Sequence, residues 1–161
     1  MTEIRQANIE DASLIHDLAH AIWYPTYENI LSKKQIDFML DKMYSVEVLS
    51  TAIQNNTAFH LLYEEKNAVG FIGIVPKGEL LRIEKIYLLP STQGKGYGKQ
   101  LIDYAAQEAK KLGLDTLELN VNRSNNAYQF YLKQGFEVIQ EVDIPYYEFT
   151  LDDYVMRKKL D

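Results

Sequence analysis

Residues 87–99 read YLLPSTQGKGYGK, and this stretch decides the fold. An apolar run from Leu80 to Leu89 ends at Pro90, three alternate glycines follow, and an amphipathic helix begins behind them. Glycines let a backbone approach a ligand closely, and the first N–H groups of a helix are unpaired and lie at the positive end of its dipole. The pattern predicts a strand–loop–helix turn that binds a phosphate or pyrophosphate, with a flexible connection as the alternative.

Two familiar phosphate-binding motifs do not fit this loop. A P-loop needs Gly-Lys followed by Ser or Thr, but Gly96 follows Lys95 and Gln100 follows Lys99. The dinucleotide fingerprint needs G-x-G-x-x-G, and the third glycine here is one position too early. Both classes are therefore excluded.

Upstream of the loop, apolar spacing predicts one strand, three helices and a hairpin. The predicted elements are a strand at 4–7, a helix capped by Asn8 or Asp11 and ended by Pro25, helices around 36–43 and 46–53, and hairpin strands at 58–63 and 68–75.

Downstream, helices and strands alternate. The predicted elements are a helix with Leu101, Ile102, Ala105, Ala109 and Leu112 on one face, ended by Gly113; a strand at 116–121; a helix from Asn125 or Asn126 through Tyr131, ended by Gly135; and closing strands at 136–144 and 154–160. This order predicts an α/β (α+β) domain whose mixed sheet is covered by helices.

Composition narrows the class of protein. The 161 residues fit one domain over 1–161, and 47% hydrophobic with 25% charged residues is a globular composition. The sequence has no cysteine, and a net charge of −6 disfavours nucleic acid and leans towards cationic small molecules. No apolar run approaches the roughly 18 residues that span a bilayer, and the charged start is unlike a signal peptide. We expect a soluble cytoplasmic protein without a membrane partner.

Two motifs together resemble the GCN5-related N-acetyltransferase superfamily. The family's Q/R-x-x-G-x-G/A corresponds to Gln93-x-x-Gly96-x-Gly98, and its N-x-x-A-x-x-F-Y-x-x-x-G-F is similar to residues 125–136. The order of elements agrees over nearly the whole chain. One position departs from the family pattern, because the asparagine usually found three residues before the alanine is Ser124.

The resemblance implies a twisted, mostly antiparallel sheet of six to seven strands, splayed between its fourth and fifth strands, with acetyl-CoA in the cleft. It implies that backbone groups of Ile86, Tyr87 and Leu88 pair with the pantetheine arm. The pyrophosphate would be held by amides of Gln93, Gly94, Lys95, Gly96, Tyr97, Gly98 and Lys99. Among Asn122, Ser124, Asn125 and Asn126, we choose Asn125 as the contact to coenzyme A.

Acetylation of an amine needs a base, because an alkylamine with a pKa of about 10.4 is protonated at neutral pH, and it needs a donor for the departing thiolate. Glu84 is the candidate base, since it lies within an apolar strand and matches the catalytic glutamate of polyamine acetyltransferases in this family. An ion pair with Arg82 or Lys85 is the alternative. By resemblance, Tyr131 lies beside the sulfur and is the candidate acid; a core aromatic is the alternative.

Aromatic residues are candidates for the acceptor pocket, because alkylammonium groups bind aromatic faces. The candidates are Trp23, Tyr24, Tyr27 and Tyr146, with a core role as the alternative. His16 and His20 have the i, i+4 spacing of metal ligands but no third ligand in view, so no metal site is predicted.

The sequence therefore predicts an acetyl-CoA-dependent N-acetyltransferase acting on a small-molecule primary amine, with polyamines as one candidate. A non-catalytic acyl-CoA sensor or adaptor and an enzyme acting on a peptide or protein amine are the alternatives. A homodimer, common in the family, is left open.

Overall fold

The computed structural model describes residues 1–161, which form five α-helices and seven strands. The elements are β1 (Thr2–Gln6), α1 (Ala12–Tyr27), α2 (Lys33–Tyr44), α3 (Val46–Gln54), β2 (Ala58–Glu64), β3 (Asn67–Lys77), β4 (Leu80–Leu88), α4 (Tyr97–Lys111), β5 (Thr116–Asn122), α5 (Ala127–Lys133), β6 (Glu137–Tyr146) and β7 (Phe149–Lys159). The sheet order is β1-β2-β3-β4-β5-β7-β6, mostly antiparallel. The predicted mixed sheet flanked by helices is confirmed.

The chain divides into two compact units, which are described separately. Unit 1 comprises Met1–Val75 and Lys85–Leu101, and unit 2 comprises Pro76–Glu84 and Ile102–Asp161. The single domain over 1–161 stays a prediction.

Side-chain caps in unit 1 lie at the short 3₁₀ turn ahead of α1 and at the starts of α2 and α3. Asn8 accepts a hydrogen bond from the Glu10 amide at 2.9 Å, and Asp11 accepts one from the Asn8 amide at 3.0 Å, which closes a capping box ahead of α1. Ser32 and Ser45 cap α2 and α3 in the same way. The caps bind backbone amides at the helix starts, and the apolar faces of the helices form the core.

The prediction that Pro25 ends α1 was wrong, because the helix continues to Tyr27. Proline lacks a backbone N–H, and its ring clashes with the carbonyl group four residues earlier in a helix. Here only one further turn is needed, and the Glu28 amide closes it by donating to the Tyr24 carbonyl at 2.9 Å. The extra turn brings Tyr27 into the core, where it is 7% exposed.

The core of unit 2 forms on one face of β5 and β7. Leu117, Leu119 and Met156 are buried, and Leu119 is paired directly with Met156 across the antiparallel ladder. The parallel ladder between β4 and β5 comprises three pairs, from Leu81↔Leu117 to Ile83↔Leu119. The splay beyond that ladder stays a prediction.

Two expectations in unit 2 were wrong in detail. Leu112 is 57% exposed, because α4 ends at Lys111 and the chain turns through Gly113 at φ +74°. The last strand begins at Phe149, five residues before the predicted start, because the acidic pair Asp152 and Asp153 hides the alternation of a strand. It forms a hairpin with β6, and Tyr147 takes the left-handed conformation in the turn at φ +55°.

Candidate functional site

The glycine loop of unit 1 has the backbone geometry of an anion-binding turn. Gly94 and Gly96 have φ values of +81° and +79°, and a Cβ atom at either position would meet no atom within 4 Å. Helix α4 begins at Tyr97, directly behind them. The predicted strand–loop–helix arrangement is therefore present, and the space beside the glycines fits a phosphate on the first helical amides.

A carboxylate from a neighbouring strand contacts this loop. Glu64 Oε2 lies 2.8 Å from Lys95 Nζ, and the Tyr97 hydroxyl donates to the same oxygen. The hydrogen bond from Lys95 and then that from Tyr97 lower the pKa of Glu64 below its usual value. The charge of Lys95 is thus balanced by Glu64.

The pantetheine segment predicted from the family, Ile86–Leu88, is half-buried at the end of β4. The backbone of β3 approaches it closely at Gly70, where a Cβ atom would lie 2.5 Å from Leu88 Cδ2 and 2.7 Å from the Tyr87 carbonyl oxygen. The Leu89 amide donates to the Val69 carbonyl at 2.9 Å just beyond. Close packing against β3 therefore fixes this segment.

Two of the four predicted acceptor residues, Trp23 and Tyr27, lie in one aromatic cluster of unit 1. Their ring centroids are 4.7 Å apart, and Tyr87 lies 5.8 Å from Trp23. The Tyr27 and Tyr87 hydroxyl oxygens are 3.0 Å apart. Tyr44 completes the cluster, and burial raises its pKa well above the usual value. Trp23, Tyr27 and Tyr44 are each at most 7% exposed, which favours core packing over a pocket wall for these rings.

The other two acceptor candidates lie elsewhere. The Tyr24 hydroxyl donates to Asp37 Oδ1 at 2.5 Å, and Lys33 pairs with the other oxygen of that carboxylate at 2.8 Å. Tyr146, in unit 2, stands at the end of β6 with its ring perpendicular to that of Tyr147.

Glu84 lies on the more polar face of β4, because Leu81 and Ile83 point to the core and Arg82 and Glu84 alternate with them. Its carboxylate is 31% exposed and lies 3.3 Å from Lys77 Nζ and 3.8 Å from Arg82 Nε. The ion-pair alternative is thus present for Arg82, and Lys77 is a second partner that the sequence did not indicate.

Arg82 belongs to a row of charges across unit 2. Its guanidinium donates to Glu118 at 2.6 Å and to Asn120 at 2.5 Å, and Glu118 also accepts from Arg157 Nε at 2.7 Å. The register places Glu137 opposite Arg157, so basic and acidic residues alternate over four strands. We call Arg82, Glu118, Arg157 and Glu137 the charge row.

Asp153 is a second carboxylate of this polar surface. It accepts a hydrogen bond from Asn120 Nδ2 at 3.2 Å, so it is connected to Arg82 through that amide. Burial raises its pKa above the usual value despite the nearby Asn120 and Arg123. The environment of Asp153 follows from the pairing of β5 with β7, which lies beyond local sequence patterns.

Tyr131 is held on α5 by packing. It is 7% exposed, and its ring makes edge contacts with those of Phe130 and Phe136 at interplanar angles of 63° and 64°. The Phe136 amide donates to the Tyr131 carbonyl at 3.0 Å. Gly135, at φ +94°, makes the turn that allows this last bond. Tyr131 therefore has the fixed position that either of its two roles needs.

The asparagines before α5 shape the turn. Asn125 Oδ1 accepts from the Ala127 amide at 2.9 Å, and Asn122 Oδ1 accepts from the Ser124 amide at 2.8 Å. Asn126 stands at the cap position but makes no capping bond with its side chain. Of the two predicted caps, Asn125 is the one that bonds to the helix.

His16 and His20 stack with ring centroids 4.1 Å apart. Each Nδ1 lies within hydrogen-bond distance of a backbone carbonyl oxygen, that of Tyr44 at 2.7 Å and that of His16 at 2.9 Å. These contacts give both rings a structural role.

A family model for the acetyltransferase (GNAT) domain matches residues 27–159. The chain belongs to the GCN5-related N-acetyltransferase family, and it is an N-acetyltransferase enzyme. No helix of the chain has the length and apolar character needed to cross a membrane.

Individual relatives agree with this assignment. The aminoalkylphosphonate N-acetyltransferase of Salmonella typhimurium is 24% identical over 84% of both chains. The ribosomal protein bS18-alanine N-acetyltransferase of Haemophilus influenzae is 36% identical over 52% of this chain and 55% of its own. Among solved structures, PaiA N-acetyltransferase from Thermoplasma acidophilum, in complex with coenzyme A, has a TM-score of 0.88 at 29% identity, with 99% of each chain covered.

Proposed function

We propose that this enzyme transfers the acetyl group of acetyl-CoA to a primary amine of a small molecule, with Glu84 as general base and Tyr131 as general acid. The observation that carries the proposal is the loop of Gly94 and Gly96, whose left-handed backbone leads directly into α4. The complex of the similar PaiA enzyme with coenzyme A supports the same donor here.

Each residue has a separate task. Acetyl-CoA, when bound, supplies the acetyl group, and the new bond to the amine nitrogen replaces the bond to sulfur. Glu84 takes the proton that the amine loses, directly or through water. The Tyr131 hydroxyl hydrogen-bonds the departing sulfur and supplies its proton, although a phenol of pKa near 10 is the weaker acid of the pair.

A small acceptor is favoured by the extent of the similarities. The relative that acts on aminoalkylphosphonates aligns with 84% of this chain, whereas the relative that acts on a ribosomal protein aligns with 52%. The net charge of −6 favours a cationic amine such as a polyamine.

Steady-state thiol release with a panel of acceptors tests the proposal. Polyamines, aminoalkylphosphonates and a peptide with an N-terminal alanine separate the acceptor classes. With the best acceptor, Glu84→Gln and Tyr131→Phe should each lower kcat by about 10²–10⁴-fold, since this is the usual contribution of an acid or base. Coenzyme A should still bind to both variants in calorimetry.

Matched controls are available in the same unit. Glu79→Gln removes an exposed acid near β4, and Tyr128→Phe removes a hydroxyl from α5, so both should leave kcat unchanged. If Glu84→Gln and Tyr131→Phe match their controls, the assigned roles are wrong. If coenzyme A binds and no acceptor supports thiol release, the sensor alternative replaces the enzyme mechanism.

A further inference from the structure

Glu64 connects the sheet of unit 1 to both the glycine loop and the first residue of α4. Its Oε2 atom lies 2.8 Å from Lys95 Nζ and accepts from the Tyr97 hydroxyl. We propose that Glu64 is a positioning residue, which holds the loop and the first turn of α4 in the arrangement that receives the pyrophosphate of coenzyme A. The inference rests on the proposed function, because it requires this loop to bind the donor.

The anchor for these contacts is rigid. Glu64 ends β2 and is paired with Thr2 on β1 and with Asn67 on β3. Thr2 Oγ1 also donates to Gln100 Oε1 at 2.9 Å, which adds a second tie between the strands and the first turn of α4. The start of α4 is thus bonded to the sheet by two side-chain hydrogen bonds, from Tyr97 to Glu64 and from Thr2 to Gln100.

Of the two hydrogen bonds that Glu64 accepts, the one from Tyr97 is the more important for the position of α4. It is 9% exposed, so its ring is packed and its hydroxyl has little freedom, whereas Lys95 is 46% exposed. Exposed ion pairs contribute little to stability, while bonds from packed groups to a charged acceptor contribute more. We expect the Tyr97–Glu64 bond to fix the helix start, and Lys95 mainly to balance the charge of Glu64.

Ordering the loop before binding should increase affinity, because coenzyme A then does not have to order it. An acidic group close to a phosphate would act in the opposite direction. Lys95 offsets that effect, since the pair with Glu64 carries no net charge. Loss of Glu64 would also leave the charge of Lys95 unpaired, but that side chain is 46% exposed and its charge is screened by solvent, so we expect the loss of order to dominate and donor binding to weaken.

Two variants test the role of Glu64. Glu64→Ala and Tyr97→Phe should each raise the KM for acetyl-CoA about 3–10-fold, with kcat at saturating donor within about twofold of the wild type. The double variant should have a KM for acetyl-CoA no higher than that of Glu64→Ala, because both changes remove the same hydrogen bond. In the free protein, hydrogen exchange of the Gln100 amide, which donates to the Gly96 carbonyl at 3.2 Å, should be faster in both variants.

Glu65→Gln is the matched control, because it removes an adjacent acid whose carboxylate pairs with the N-terminal amine rather than with the loop. It should leave both the KM and the exchange unchanged. A KM that is unchanged or lower in Glu64→Ala, or unaltered exchange at the helix start, would overturn the role of Glu64 while wild-type turnover leaves the proposed function standing. Failure of wild-type protein to bind coenzyme A would overturn both.

Discussion

Substitution of Glu118 by Gln should destabilise the protein, because this carboxylate lies between two arginines in the charge row. Its side chain is 13% exposed and its partner Arg82 is 16% exposed, so the bond between them is largely shielded from water. Hydrogen bonds to charged groups contribute about 1.5–3 kcal/mol in such places. The Arg157 contact adds about 0–1 kcal/mol, since that side chain is 47% exposed.

We therefore expect Glu118→Gln to lower the free energy of unfolding by about 2–3 kcal/mol at pH 7. For a chain of this length, that corresponds to a fall in Tm of about 4–12 °C. Urea denaturation followed by circular dichroism measures the loss. Asp115→Asn is the control, because Asp115 is 59% exposed and pairs with Lys159 at the surface, so its effect should be much smaller.

The pH dependence of the difference in unfolding free energy between wild type and Glu118→Gln gives a second test. Burial raises the pKa of Glu118, but Arg157 and Arg82 outweigh it, and the pKa is held below the usual value near 4.5. The contribution of the ionised carboxylate is then complete above pH 4.5 and is lost as pH falls through the lowered pKa. Wild type and Glu118→Gln should converge in acid. A difference that is absent at pH 7, or that persists unchanged to pH 2, would refute this reasoning.

Two further predictions concern single positions in the two units. Gly70→Ala should raise the KM for acetyl-CoA and lower Tm. The new Cβ would lie 2.7 Å from the Tyr87 carbonyl oxygen and would displace the strand that is predicted to pair with pantetheine. A Tm and a KM equal to those of the wild type would contradict this. Asp153→Asn should leave the free energy of unfolding at pH 7 equal or higher. Burial raises the pKa of Asp153, so its negative charge lowers the stability once the pH rises through that raised pKa, and asparagine carries no such charge. A urea midpoint clearly below that of the wild type at pH 7 would show that the charge of Asp153 is stabilising instead.

Local patterns in the sequence were sufficient for most of the fold. The turn before α4, the short helix ending at Gly135 and the hairpin of β2 and β3 depend on glycines, caps and apolar spacing, all of which act over a few residues. Errors arose where a local signal was overridden. Pro25 is followed by enough bonding to close one more turn, and Asp152 and Asp153 lie in a strand that their charges disguised.

The candidate site was predictable in its elements but not in its contacts. Glu84, Tyr131 and the loop lie on the strand, helix and turn that the sequence assigned to them. Their partners come from distant positions, such as Lys95 for Glu64 and Glu118 for Arg82. Such contacts depend on which strands pair and in what register, and apolar periodicity alone does not give that information.

The charge row also limits which substitutions this sequence can tolerate during evolution. Each interior member faces opposite signs on both sides, so a lone reversal at Glu118 would set three cations side by side across neighbouring strands. Tolerated change should therefore arrive as coordinated substitutions. A related sequence that lacks the cation at position 82 should have another cation nearby or should also lack the acid at position 118.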